Sequence, residues 1–144
     1  MATQIFVELP VKDLEKSKAF FTTLGFEFDQ QFTDEKATRF IIGENIYVML
    51  LVEDFFRSLI QKNIADTSKS AEVINSFSVD SKEKVDDLGD KALAAGVWAD
   101  SKAEDCGWMY ARAFQDIDGH LWQAMYIDLS AMPTAEASVS ADQA

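Results

Sequence analysis

The chain has 144 residues, 48% of them hydrophobic and eleven of them Phe, enough to fill the core of one domain or of two small modules sharing a sheet. Its 25 acidic and 13 basic residues leave a formal charge of −12, so a phosphate backbone or an anionic lipid surface is repelled at long range, and neither nucleic acid nor a membrane is expected as a partner. No apolar run is long enough to span a bilayer, the start of the chain is neither basic nor continuously apolar, and Cys106 is the single cysteine; the cytoplasm is the expected compartment, with no intrachain disulfide and no thiolate metal cluster.

In chain order, Ile5 to Val11 alternates Ile5, Val7, Leu9 and Val11 with Phe6, Glu8 and Pro10, the period of a strand with one covered face. Asp13 is placed to cap a helix whose apolar residues fall at Leu14, Ala19, Phe20, Phe21 and Leu24, and Gly25 stops it. Phe26 to Phe32 alternates again and predicts a strand, turned back by Thr33 to Lys36. Thr38 to Ile42 and Asn45 to Val52 predict a hairpin about Gly43 and Glu44. Glu53 to Lys62 holds Phe55, Phe56, Leu59 and Ile60 at helical spacing, a short amphipathic helix that either lies against the sheet or covers a pocket. Asn63 to Glu72 is polar and built of small residues, the expected module boundary and mobile loop. Beyond it come a strand (Ile74 to Asp80), a helix (Ser81 to Ala95), a short strand (Val97 to Ala103) and a hairpin of Trp108 to Phe114 with His120 to Ile127. Past Asp128 the chain lacks periodicity and bulk, as in a loosely held tail. The expected organisation is a first module over residues 1–62, a linker at 63–72, a second module at 73–128 and a tail at 129–144.

The plan repeats. Val79 stands 68 residues after Val11, which sets Phe6 on Ile74, Glu8 on Ser76 and Leu9 on Phe77. Thr38 to Leu50 echoes Ala111 to Met125, each an arginine strand, a turn and an aromatic strand, with Ile46 matched to Leu121 at an offset of 75.

The segment VKDLEKSKAFFTTLGFEF, the repeated βαβββ plan and the closing DIDGHLWQAM resemble the vicinal oxygen chelate superfamily of glyoxalases, bleomycin-resistance proteins, fosfomycin-resistance enzymes and extradiol dioxygenases. The resemblance covers about Gln4 to Asp128. It implies an α+β fold of two tandem βαβββ modules forming a half-open curled sheet around a ligand cavity, commonly in a homodimer. In metal-using members the ligands lie on the first and last strands of each module. The matching first-strand positions are Phe6 and Ile74; the last-strand position of the second module is Gln123, with Val48 or Leu50 as its repeat partner. Carbon side chains do not coordinate, so no metal and no other cofactor is expected.

Strand parity, read from the sequence, groups Phe6, Glu8, Val48, Leu50, Ile74, Ser76, Gln123 and Met125 as pocket candidates, with Trp108, Tyr110 and Arg112 added if that strand turns its aromatic face inward. The same set describes a packed core equally well. No spacing supports a nucleophilic triad or a phosphate loop, and no catalytic residue is assigned. The leading expectation is a glyoxalase/bleomycin-resistance-like protein that binds a small aromatic or cationic molecule without chemistry. The alternatives are a metal-dependent lyase or dioxygenase using displaced ligands such as Glu8, His120 and Gln123, and a fold kept for protein interaction.

Overall fold

The computed structural model describes residues 2–133 of the chain. The expected tail therefore falls outside the described residues beyond Pro133, apart from a single 3-10 turn at Leu129–Ala131.

Strand β1 (Ile5–Val11) leads through an Asp13 cap into helix α1 (Leu14–Thr23), and the Asp13 carboxylate accepts the Lys16 N–H as the sequence predicts. Strands β2 (Ala37–Gly43) and β3 (Ile46–Val52) form the hairpin, and β3 inserts between β2 and β1, parallel to β1. Helix α2 (Glu53–Leu59) follows directly and ends three residues earlier than expected, where Ile60 turns to extended backbone. The second half repeats the order. Strand β4 (Ile74–Ser78) precedes helix α3 (Lys82–Ala94), capped by Ser81; β7 (Leu121–Ile127) lies between β4 and β6 (Met109–Gln115), parallel to β4. A two-residue strand β5 (Glu104–Asp105) extends that sheet at its edge. The result is an α+β fold of two open sheets with one shared strand logic.

In each half the predicted second strand is reduced. Phe26 to Phe32 gives a single bridge, Phe28 to Phe40, before Asp29 caps a 3-10 turn at Gln30–Phe32 by accepting the Gln31 N–H. A carboxylate that serves its own backbone in this way favours a turn over a ladder. Val97 to Ala103 likewise keeps only the Ala99 to Phe114 bridge.

Register fixes the repeat more finely than composition does. Phe6 stands opposite Tyr47 and Ile74 opposite Leu121, so the true partner of Leu121 is Tyr47 rather than Ile46. The buried pair Phe40–Val48 then matches the buried pair Phe114–Trp122.

The core lies where the helix-bearing faces of the two sheets meet. Phe20, Phe21, Leu24 and Leu88 are all buried, as their helical spacing predicts. Phe21 of α1 stacks on Phe40 at 4.6 Å and meets Trp122 of the other sheet edge-on at 5.5 Å, and Phe26 meets Phe77 at 5.7 Å. These rings tie the halves together across one apolar cluster.

Candidate functional site

The turn between β6 and β7 brings the two halves into polar contact. Asp118 accepts the Lys12 N–H at 2.9 Å on one oxygen and the buried Ser17 hydroxyl at 3.0 Å on the other. His120 lies 2.7 Å from the Pro10 carbonyl through Nε2; a carbonyl only accepts, so Nε2 carries the proton. Behind this contact Asp116 is buried and accepts from the backbone N–H groups of Asp118 and His120 and from Trp122 Nε1 at 3.0 Å. Burial pushes its carboxyl above the ordinary range, and the neighbouring His120 and the hydrogen bonds oppose that rise.

Beside this junction is a cavity of about 360 Å³, within the size range of small-molecule sites. Its apolar walls are Pro10, Phe56, Ile60, Ile64 and Leu121, contributed by β1, α2, the segment after α2 and β7. Glu8, Glu72, Asn75 and His120 supply the polar groups, with Lys62 at the wall as well. Two carboxylates against one ammonium leave the cavity locally acidic.

The sequence-derived pocket candidates do not share one face. Because Phe6 stands opposite Tyr47, the residues of β3 on its side are Tyr47 and Met49. Val48 and Leu50 instead face Val7 and Leu9 and are fully buried with Phe40, so their place among the pocket candidates is corrected: they are core. Phe6 stacks on Tyr47 at 5.2 Å and is 43% exposed. Ile74, Ser76, Gln123 and Met125 do share a face of the second sheet, where the Ser76 hydroxyl donates to Gln123 Oε1 at 3.1 Å. Ile74 and Ser76, with the buried Val48 at its floor, also border a cleft of about 500 Å³ between β4 and the start of β1, lined by no charged side chain.

Tyr110 and Arg112 belong to the helix-bearing face of β6, and their grouping with the pocket is also corrected. The Tyr110 hydroxyl donates to both oxygens of Asp86, at 2.9 and 2.8 Å. That bond, with burial and the Asp86 charge, raises the phenol pKa. Arg112 is 2% exposed; NH1 donates to Asp90 and the Asp86 carbonyl, and Nε and NH2 to the Asp100 carbonyl. Trp108 is half-buried at the end of β6, its carbonyl accepting the Asp128 N–H. Of the candidates, Glu8 alone reaches the cavity wall; Phe56, Ile60, Ile64, Glu72 and Asn75 were missed. The signals available were the helical stripe with Phe56 and Ile60, read as a helix lying against the sheet or covering a pocket, and the polarity of the stretch after it.

The donor chemistry of a metal site can be tested against these positions. Glu8 and Met49 form the row that matches Ser76 and Gln123, so Gln123's repeat partner is Met49, not Val48 or Leu50. The four positions that the resemblance assigns to ligands thus hold Phe6, Met49, Ile74 and Gln123. Among the described residues no group of three His, Cys, Asp or Glu side chains converges to hold a metal ion. A divalent cation needs several N or O donors, and this set does not fit one. Among the described residues no helix is long and apolar enough to cross a membrane.

Residues 3–43, from β1 to the end of β2, match the family model described as bleomycin resistance protein-like N-terminal. No curated protein matches the sequence. Among solved structures, the chain is similar to a hypothetical protein from S. aureus at 28% identity and a TM-score of 0.74, over 88% of this chain and 94% of that one. It shares its fold with a glyoxalase/bleomycin resistance protein/dioxygenase family enzyme from Burkholderia phytofirmans PsJN (16% identity, TM-score 0.71, 88% and 99% covered). The same holds for the fosfomycin resistance protein FosX of Listeria monocytogenes (21% identity, TM-score 0.65, 91% and 98% covered). Residues 3–43 thus carry the bleomycin resistance protein-like N-terminal pattern, and the two halves of one strand order share the fold of the glyoxalase/bleomycin resistance protein/dioxygenase structures.

Proposed function

We propose that the protein binds a small molecule in the cavity between its halves, without a metal ion and without turnover. The observation that carries this reading is a cavity of ligand size whose wall includes none of the four positions at which the superfamily places ligands, here Phe6, Met49, Ile74 and Gln123. FosX has been crystallised with Mn(II). In this chain the displaced set of Glu8, His120 and Gln123 does not converge: the first two border the cavity, whereas Gln123 lies on the open face of the second sheet with Ser76. The His120 Nε2–H is moreover spent on Pro10, which removes that nitrogen as a donor to a cation.

The ligand class follows from the lining. An apolar body fits against Phe56, Ile60 and Leu121, and a positive group is favoured by Glu8 and Glu72 and by the overall charge. A homodimer is proposed on the resemblance, supported by exposed Ile5, Phe6 and Ile74 along β1 and β4, each of which pairs on one edge only. Titration with thioflavin T, a cationic aromatic dye, and with an anionic naphthalenesulfonate tests the ligand class. The cationic dye is expected to bind in a saturable way and to weaken in Glu8→Gln. Equal binding of both dyes, or no effect of Glu8→Gln, would overturn the assignment.

A further inference from the structure

We infer that the segment from Ile60 to Val73 is a strap that gates the cavity, latched by Thr67 to the β6–β7 turn; this rests on the proposal that the cavity binds a small molecule.

Residues of the strap, among them Lys62, Ile64, Thr67 and Glu72, form about half of the cavity wall, so moving the strap widens the way to the interior. The strap is weakly held. None of its residues is buried, and only Ile60, Ile64 and Thr67 are half-buried. Among the described residues, one hydrogen bond ties it to the rest of the fold beyond α2, from the Thr67 hydroxyl to the Asp118 carbonyl. Few buried apolar contacts and few hydrogen bonds are the physical marks of a segment that opens ahead of global unfolding.

The receiving turn is shaped for this latch. Gly119 has φ +82°, and a Cβ there would lie 2.6 Å from Thr67 Oγ1, so the hydroxyl reaches the Asp118 carbonyl only because position 119 has no side chain. Internally the strap is ordered. The Asp66 carboxylate accepts from the backbone and hydroxyl of Ser68, and the Asp66 carbonyl from the N–H groups of Lys69 and Ser70. The middle of the strap is a compact turn hung between two extended ends, and a single latch governs it as a unit.

Thr67→Val removes the hydroxyl and keeps the shape; Thr67→Ser keeps the hydroxyl. Loss of one such bond is expected to raise the open population about 3- to 10-fold. In Thr67→Val, hydrogen exchange at residues 64–70 should quicken by that factor while α1 and α3 stay unchanged. Association and dissociation rates of thioflavin T should rise together, with Kd changing less than either, and Thr67→Ser should behave as the unmodified chain. Unchanged exchange in Thr67→Val would overturn the latch. Faster exchange with unchanged dye rates would overturn the gate and leave the cavity reading standing. Failure of the dye to bind any of the three proteins would instead count against the cavity reading and the gate that rests on it, while the exchange data still report on the latch.

Discussion

Gly89 sits in the middle of α3, where alanine is ordinarily the better residue by about 1 kcal/mol because glycine keeps more freedom in the unfolded chain. A Gly89→Ala change should nevertheless destabilise this protein. The Arg112 guanidinium occupies the space beside Gly89, and an added Cβ would overlap its Cζ, Nε and NH1 atoms. Arg112 has no room to retreat, since it is 2% exposed and is fixed by the Asp90 carboxylate and by the carbonyls of Asp86 and Asp100. Displacing it far enough to admit a methyl group breaks at least two of these bonds, each worth about 1.5–3 kcal/mol when a charged group is involved. Set against the helix gain, the net loss is about 2–5 kcal/mol, or roughly 6–20 °C in melting temperature for a domain of this size. Thermal melts followed by circular dichroism provide the assay, and Arg112→Met supplies the second arm of a double-mutant cycle. With the guanidinium gone, Gly89→Ala should become neutral or stabilising. A Gly89→Ala protein that melts at or above the unmodified chain would refute the close packing of Arg112 on α3.

Two other outcomes follow from the core and the junction. Phe20→Ala, and more strongly Phe21→Ala, should cost about 3–5 kcal/mol, because Phe21 is 1% exposed and its ring contacts both sheets; a shift of the denaturant midpoint equivalent to under 1 kcal/mol would contradict the packing. The raised carboxyl of Asp116 sets a pH dependence of known sign. Its stabilising term is present in full below the ordinary value of 3.8 and is lost as pH rises through the higher folded value, so the stability of the unmodified chain minus that of Asp116→Asn should fall over that window and then level off. A difference that rises with pH would show the carboxylate to be stabilised in the fold.

The parts of this structure that the sequence made legible are those decided locally. Helix caps at Asp13 and Ser81 and the apolar rows of α1 and α3 depend on neighbours within a turn, and they stand where the spacing put them. The repeat was legible because each half must bury one face by the same strand order. Parity was not, since alternation reveals the two faces of a strand but not which residue of β3 stands opposite Phe6; a slip of one residue moved Val48 and Leu50 from the open face into the core. Arg112 was misplaced for a related reason, as nothing short of the α3 packing shows that a guanidinium rests on a glycine. The cavity itself is walled largely by an aperiodic segment, whose course is set by the Thr67 contact and by Ile60 and Ile64 rather than by any local pattern.

Elemental analysis of the dialysed protein tests the central claim most directly, because the coordination chemistry of Phe6, Met49, Ile74 and Gln123 either excludes a bound cation or does not. The account predicts well under one divalent metal per chain, with no gain in melting temperature when Mn, Fe, Ni or Zn salts are added, since Gln123 as the one oxygen donor among the four positions gives too little binding free energy to stabilise the fold. Close to one metal per chain, lost in Glu8→Ala or Gln123→Ala, would contradict it and make the protein a metal enzyme of the superfamily with displaced ligands.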